Sequence, residues 1–294
     1  MTAWQAIAGH IAEAVGHSFQ PRTPREIGGG CINRALCLED GHRRYFVKLN
    51  AATALSMFEA EAEGLRELAA SRTLRVPQPI CMGRQGAEAY LVLEHLELGR
   101  AGSDGMARAG RQLAALHATA GDCYGWTRDN TIGSTPQPNA PCGDWIAFWR
   151  ARRLGFQLDL AGRNGYGGAL QRRGERLLAD LEALFEDYSP PASLLHGDLW
   201  GGNMAFDSSG APVVYDPAVY YGDREADLAM TELFGGFTAD FYAAYREAWP
   251  LDSGYPVRKT LYNLYHVLNH LNLFGGGYAG QAGHMIDRLL SELR

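Results

Sequence analysis

His196-Gly197-Asp198-Leu199-Trp200-Gly201-Gly202-Asn203 is followed thirteen residues later by Asp216, at the close of Ala211-Pro212-Val213-Val214-Tyr215-Asp216. The first stretch puts a carboxylate and a carboxamide five positions apart on a glycine-broken loop. The second places another carboxylate at the end of a short apolar strand. Phosphoryl transfer from a metal-nucleotide needs these parts: a base for the acceptor hydroxyl and two oxygen ligands for magnesium. The Asp-x4-Asn spacing matches a kinase catalytic loop, with Asp216 where the downstream metal-binding aspartate stands. Asp198 is therefore the expected catalytic residue, with Asn203 and Asp216 the expected metal ligands.

Working outward, the chain has 27 cationic residues, and only Lys48 and Lys259 are lysines. A lysine closing the strand Tyr45-Phe46-Val47-Lys48 thus carries unusual weight, because arginine serves nearly everywhere else. Such a lysine pairs nucleotide phosphates when a helix carboxylate holds it. Thr53 to Ala70 has strong helix propensity, with Leu55, Phe58, Ala62, Leu65 and Leu68 along one face. Glu61 borders that face, whereas Glu59 and Glu63 point more outward, so Glu61 is the expected partner of Lys48. Gly28, Gly29 and Gly30 sit between two expected strands, where bare backbone amides can approach phosphate oxygens. No Gly-Lys-Ser/Thr follows, so this is not a Walker A loop. Cys31 comes next, at the expected tip of that loop, where oxidation of a thiol would matter.

The remaining chain divides by pattern. Residues 2 to 16 have helical apolar spacing, and strands follow up to Leu49, with a turn at Asp40-Gly41. Val76-Pro77-Gln78-Pro79 ends the Thr53–Ala70 helix, and Glu88 to Leu96 reads as one more strand. Helical pattern returns at 105–119, 143–160, 168–187, 223–250 and 256–274. A strand-rich first third joined to a helix-rich remainder predicts an α+β fold of two lobes with a cleft between them. The stretch from Gly121 to Gly143 is irregular, and irregular segments of that length are usually functional.

Several function classes are excluded. A net charge of −6 gives no electrostatic reason to expect nucleic acid or an anionic membrane as partner. Apolar runs fall well short of the ~20 residues that span a bilayer. Met1 to His10 lacks the basic region and apolar core of a signal peptide, so a cytoplasmic location is expected. Cys31, Cys37, Cys81, Cys123 and Cys142 are odd in number and show no Cys-x-x-Cys spacing, which reads as free thiols in a reducing compartment. His266 and His270 stand four apart on an expected helix, but no Glu follows His266 and no third ligand is obvious; the reading is a packed helix with buried polar contacts.

Taken together, these positions resemble the fructosamine/ketosamine kinase family, within the protein-kinase-like group that also holds aminoglycoside and choline kinases. The resemblance spans nearly the whole chain. It rests on Gly28-Gly29-Gly30-Cys31-Ile32-Asn33, Leu93-Glu94-His95-Leu96, Leu195 to Asn203 with Trp200 inside it, and Tyr215 to Met230. Glu232-Leu233-Phe234-Gly235-Gly236-Phe237 and the helix Leu261 to His266 complete it. It implies a protein-kinase-like fold with an N-lobe over 1–93, a hinge at 94–97 and a helical C-lobe over 98–294. It also implies ATP- and Mg2+-dependent phosphorylation of the third-carbon hydroxyl of a ketosamine, either a small molecule or a glycated protein. Glu94, His95 and Leu96 become the adenine-binding hinge, and Cys31 a redox-sensitive site; from its place at the loop tip the further expectation is a monomer or a Cys31-linked dimer. For the sugar, the expected partners are Trp200, Tyr220, Asp223, Arg224, Glu225, His266 and His270. Pro217 stands where the wider kinase pattern has Phe, and biases Asp216 toward extended backbone. The competing expectations are a kinase of another amino-alcohol, such as an aminoglycoside or choline-like compound, and a nucleotide-binding regulator without turnover.

Overall fold

The computed structural model describes residues 3–28 and 32–293. Gly29, Gly30 and Cys31, singled out above, lie outside the described residues. The backbone groups into two compact units, one of residues 1–105 with 205–217 and the other of residues 106–204 with 218–294. The expected division assigned everything from residue 98 on to the second lobe. Here 205–217 folds with the first unit because its strands are tied there: Val214 N donates to Arg75 O at 3.0 Å, and Gly99 N to Phe206 O at 2.8 Å.

The first unit is a five-stranded antiparallel sheet with a helix on each side. Its elements are α1 (Ala3–Val15), β1 (Arg25–Ile27), β2 (Arg34–Glu39), β3 (Arg44–Ala51), α2 (Leu55–Ala70), β4 (Pro79–Gln85) and β5 (Glu88–Glu94). Strand order is β1-β2-β3-β5-β4. Strand alternation sorts the side chains: Val47 and Leu49 of β3 join Leu36, Leu38 and Val92 in a core closed by Ile7 and Ile11 of α1. Lys48 lies between them in sequence and projects to the opposite face, where α2 buries Phe58, Ala62, Leu65 and Leu68. β4 was not anticipated; Pro79-Ile-Cys-Met-Gly-Arg-Gln has no clean alternation, and pairing with β5 makes it a strand.

The second unit is mainly helical. It contains α3 (Gly105–His117), starting at the boundary, and a small hairpin of β6 (Asn130–Ile132) and β7 (Thr135–Gln137). The helix expected at 143–160 is α4 (Trp145–Phe148), a π-helical turn (Trp149–Leu154) and α5 (Gly155–Arg163). α6 (Ala169–Ala179) and β8 (Ser193–Leu195) lead into the glycine-broken loop. β9 (Met204–Phe206) and β10 (Pro212–Val214), which belong to the first unit from Ala205 on, pair with each other, and in the second unit β11 (Tyr220–Gly222) returns antiparallel to β8. The helix expected over 223–250 is two, α7 (Glu225–Leu233) and α8 (Ala239–Ala248), because Gly235 and Gly236 take positive φ between them. α9 (Tyr255–Phe274) is the long central helix, and α10 (Ala279–Glu292), unread in the sequence, packs on it through Ala282, Ile286 and Leu289. No helix among the described residues is long and apolar enough to cross a membrane.

Candidate active site

In the first unit, Lys48 Nζ donates to Glu61 Oε1 at 2.5 Å and to Asp216 Oδ1 at 2.6 Å. The register explains the convergence. β3 is flanked by β2 and β5, so Lys48 is a central-strand residue, 5% exposed, and cannot turn to water from a sheet edge. Burial opposes its charge, yet the carboxylates of Asp216 and Glu61 together hold its pKa above the ordinary lysine value. The ammonium is thus permanent and aimed. Asp216 has φ +56°, in the left-handed region, rather than the extended backbone expected. Pro217 disfavours the right-handed region for its predecessor, and aspartate is among the few residues that tolerate the left-handed one.

At the expected hinge, Glu94 accepts from Arg75 Nη2 at 2.5 Å and from Gln78 N at 3.3 Å, so its carboxylate braces the strand ends. His95 Nδ1 is buried with no hydrogen-bond partner among the described residues, and burial lowers the pKa of the ring. Leu96 is half-buried. A Cβ built on Gly28 meets nothing within 4 Å, so that backbone faces open space.

In the second unit, β8 delivers the loop and a buried aspartate clamps it. Asp227 of α7 accepts from His196 N at 2.7 Å and Gly197 N at 2.8 Å, and from His117 Nε2 at 3.2 Å. His117 Nδ1 meets Tyr245 OH at 2.8 Å, and Arg224 donates to the same hydroxyl at 3.0 Å. Burial pushes against the Asp227 carboxylate, but His117, His196 and the Gly197 amide keep its pKa below the usual range. Gly197 has φ +81°, and a Cβ there would stand 2.0 Å from Ala218 O, so no other residue fits. On this support Asn203 Nδ2 donates to Asp198 O at 2.9 Å and to Asp198 Oδ2 at 3.1 Å. The two side chains of the loop expected to be functional are therefore in direct contact, with Asp198 half-buried and Asn203 buried.

The expected sugar-binding residues separate into two groups. Trp200 is 39% exposed and stands edge-on to Phe234, 42% exposed, with ring centroids 6.2 Å apart. Phe234 in turn meets His270 at 4.9 Å, and His270 meets Phe274 and Tyr278. This forms a partly exposed aromatic row beside Asp198 in the chain. Tyr220, Asp223, Arg224, Glu225 and His266 are all at most 5% exposed, which corrects their reading as a sugar-facing surface. Asp223 accepts from Tyr188 and Tyr262, Arg224 donates to Trp249 O and Pro250 O, and Glu225 takes a two-pronged bond from Arg258. Tyr220 lies under Arg153, whose guanidinium is 4.0 Å from the ring centroid. The polar atoms of Asp223, Arg224 and Glu225 are consumed in holding the unit together. Asp227 and Phe234 fall within the stretches that carry the resemblance but were given no role there; the signal for Asp227 was an aspartate in the first turn of a helix among Ala226, Leu228, Ala229 and Met230.

The sheet-plus-α2 unit with Lys48, Glu61 and Asp216, and the helical unit with Asp198 and Asn203, define a protein of the protein-kinase-like fold class. Comparison with known proteins sharpens this. The family model for fructosamine kinase matches residues 3–292. A Synechocystis relative named "Probable ketoamine kinase" is 50% identical over 98% of this chain and 97% of its own length. A chloroplastic protein-ribulosamine 3-kinase of Arabidopsis thaliana is 44% identical over 91% of this chain and 82% of its own. A Haemophilus somnus crystal structure carrying a fructosamine-3-kinase name superposes with TM-score 0.90 at 30% identity, covering 98% of this chain and 97% of that one. The chain belongs to the fructosamine kinase family.

Proposed function

We propose that this protein is an ATP-dependent kinase that phosphorylates the third-carbon hydroxyl of ketosamines, the products of a sugar and an amine. The observation that carries this reading is the Asp227-clamped loop holding Asp198 against Asn203. On it, Asp198 accepts the acceptor's hydroxyl proton, which needs a carboxylate positioned before substrate arrives. Lys48, locked by Glu61, takes the nucleotide phosphates, and the stretch Glu94-His95-Leu96 takes the adenine. Asn203 and Asp216 supply oxygen donors, the hard ligand type that suits Mg2+, and among the described residues no cluster of three or more His, Cys, Asp or Glu side chains suggests another metal. Bound magnesium would neutralise phosphate charge as the phosphoryl group moves.

The acceptor class is supported by the relatives named for ketoamines and ribulosamine. The aromatic row from Trp200 to His270 adds an apolar face for a sugar ring and a π-face for a protonated amine. A phosphate at the third carbon leaves more readily than hydroxide, so phosphorylation opens a route to releasing the amine from a glycated molecule. We place this repair in the cytoplasm, where the free thiols of Cys37, Cys81, Cys123 and Cys142 would stay reduced.

The test is a panel of ribulosamine, fructosamine, aminoglycoside and choline acceptors with Mg-ATP, the product's phosphate position read by NMR. Transfer to the third-carbon hydroxyl of a ketosamine is expected. Preference for an aminoglycoside would overturn the acceptor assignment, and ATP binding without transfer to any acceptor would overturn the enzyme reading.

A further inference from the structure

We infer that the side chain of Asn33 binds the outer phosphates of the nucleotide and that Asn50 is the residue that orients it. This rests on the reading that Lys48 takes the phosphates of ATP, and it adds a second side-chain donor to that site. Both asparagines belong to the first unit.

The directions of two amides carry the argument. Asn50 Oδ1 accepts from Ala51 N at 2.7 Å, and Asn50 Nδ2 donates to Ile32 O at 3.3 Å. A backbone N–H can only donate and a backbone carbonyl can only accept, so these two partners fix which way the Asn50 amide faces. Its second Nδ2 proton goes to Asn33 at 2.8 Å, and the atom that receives it has to be Oδ1. Asn50 is thereby fully engaged. Asn33 has its oxygen turned to β3 and its Nδ2, with two protons, turned away from it. No described residue accepts from that Nδ2. Asn33 is half-buried, so an aimed donor stands there rather than a solvated surface amide.

Its place along β3 says what it meets. At one end of the strand Tyr45 pairs with Glu94, the first residue of the adenine stretch. Lys48 follows on β3, and Asn50 comes two residues after it. Side chains alternate along a strand, so Lys48 and Asn50 share a face, with Cα atoms about 7 Å apart. Counted from the adenine end, the ammonium comes first and the Asn33–Asn50 pair second. A nucleotide laid along this face has its base at Glu94-His95-Leu96, its inner phosphates at Lys48 and its outer ones at Asn33. The chemistry agrees: an ammonium and an amide N–H2 on one face both call for acceptors, and charged oxygens accept most strongly.

The experiment titrates the full chain with Mg-ATP and with AMP by calorimetry, in the Asp198→Ala background so that no phosphoryl transfer intervenes. Asn33→Ala, checked for an unchanged thermal midpoint, should weaken ATP by at least about tenfold, ~1.4 kcal/mol, and leave AMP within about twofold. Asn50→Asp separates orientation from contact. It keeps an oxygen for Ala51 N but has no proton for Asn33, whose amide then turns its Nδ2 to the new carboxylate. ATP affinity should fall by a similar factor, and in an Asn33→Ala background the same substitution should cost nothing further. Undiminished ATP affinity in Asn33→Ala, or equal losses for ATP and AMP, would overturn the proposal, and additive losses in the double variant would overturn the role of Asn50. Lys48→Met, assayed where its thermal midpoint shows it folded, tests the underlying reading. ATP bound there as in the parent protein would sink the nucleotide assignment itself, whereas ATP lost there and kept in Asn33→Ala would refute Asn33 alone.

Discussion

Lys48 illustrates how one residue's chemistry depends on its neighbours. Removing the ammonium leaves Glu61, with a side chain 10% accessible, facing the half-exposed Asp216 without a cation. Lys48→Met is expected to destabilise the protein by about 3 kcal/mol, because an uncompensated buried carboxylate costs more than the ion pair contributes. Glu61→Gln added to Lys48→Met should recover part of that loss, measured by urea unfolding of the single and double variants. ATP-dependent turnover should be lost in both. Failure of Glu61→Gln to recover any stability would show that the pair is not energetically coupled. At Asp198 the expected outcome of substitution by Ala is a fall in kcat of roughly 10²–10⁴-fold with the fold intact, the range for a positioned base. Asp227→Asn acts one step removed. It keeps an oxygen for one loop amide but loses the charge, so kcat should fall with little change in the KM for ATP. A change in KM alone would assign Asp227 elsewhere. The contacts of Lys48 with Glu61 and of Asp198 with Asn203 were legible in the sequence because set spacings, and for Lys48 the scarcity of lysine, carry the signal. Asp227 was not, because its role lies in accepting backbone amides thirty residues earlier in the chain.

At the scale of elements, the π-helical turn Trp149–Leu154 is the informative case. It turns Arg153 fully inward, where Nη1 donates to Pro138 O at 2.7 Å and Nη2 to Asn139 Oδ1 at 2.6 Å. Its guanidinium also stacks on Phe148 and Tyr220. Asn139 further bonds Asn130, and Gln137 reaches Ala218 O. The irregular stretch 121–143 is thus held in place by a single buried cation and three carboxamides, adjoining the strand that follows Asp216. Arg153→Met is predicted to cost about 3 kcal/mol, from charge-assisted hydrogen bonds lost and acceptors stranded. Denaturant midpoints check this, and a loss within error of zero would refute it. A second element-scale contact is the crossing of Gly236 over Gly201, where a Cβ on Gly236 would stand 2.7 Å from Gly201 Cα. It holds Phe234 beside Trp200. Gly236→Ala is expected to impair ketosamine turnover more than ATP binding, read as KM for each substrate.

Across the whole molecule, His266 and Asp227 each favour the fold less as pH falls, in separate windows, while Glu225, whose pKa burial raises to about 7, acts in the opposite sense between that value and its ordinary 4.5. Burial first, and His270 after it, hold the pKa of His266 down to about 3 from an ordinary 6.5. A base whose pKa falls on folding binds fewer protons folded than unfolded between those values. Its stabilising contribution is therefore complete above pH 6.5 and declines as pH drops toward 3. Asp227 acts lower: its pKa is depressed on folding, so its contribution is present above its unfolded value of 3.8 and is lost below it. Between pH 7 and pH 5 the urea midpoint of His266→Gln should fall less, or rise more, than that of the parent protein, while Asp227→Asn flattens only the more acidic part. Equal pH slopes for His266→Gln and the parent protein would contradict the assignment.

The chain's own pattern determined the α+β character, the two-part organisation, the lysine–glutamate pair and the Asp198–Asn203 loop. Each is written in short-range spacing: period two in strands, period 3.6 in helices, and glycines where the backbone must turn. The tertiary structure alone decided which polar residues remain available to a ligand. Asp223, Arg224 and Glu225 read as surface chemistry in one dimension, yet Tyr188, Tyr262, Trp249, Pro250 and Arg258 surround them. It also brought Phe234 to Trp200, gave 205–217 to the first unit, and set Asp216 at positive φ. The physical reason is common to all of these. Burial and hydrogen-bond satisfaction are properties of contacts between segments far apart in the chain, and a buried polar group must find its partner wherever the fold supplies one.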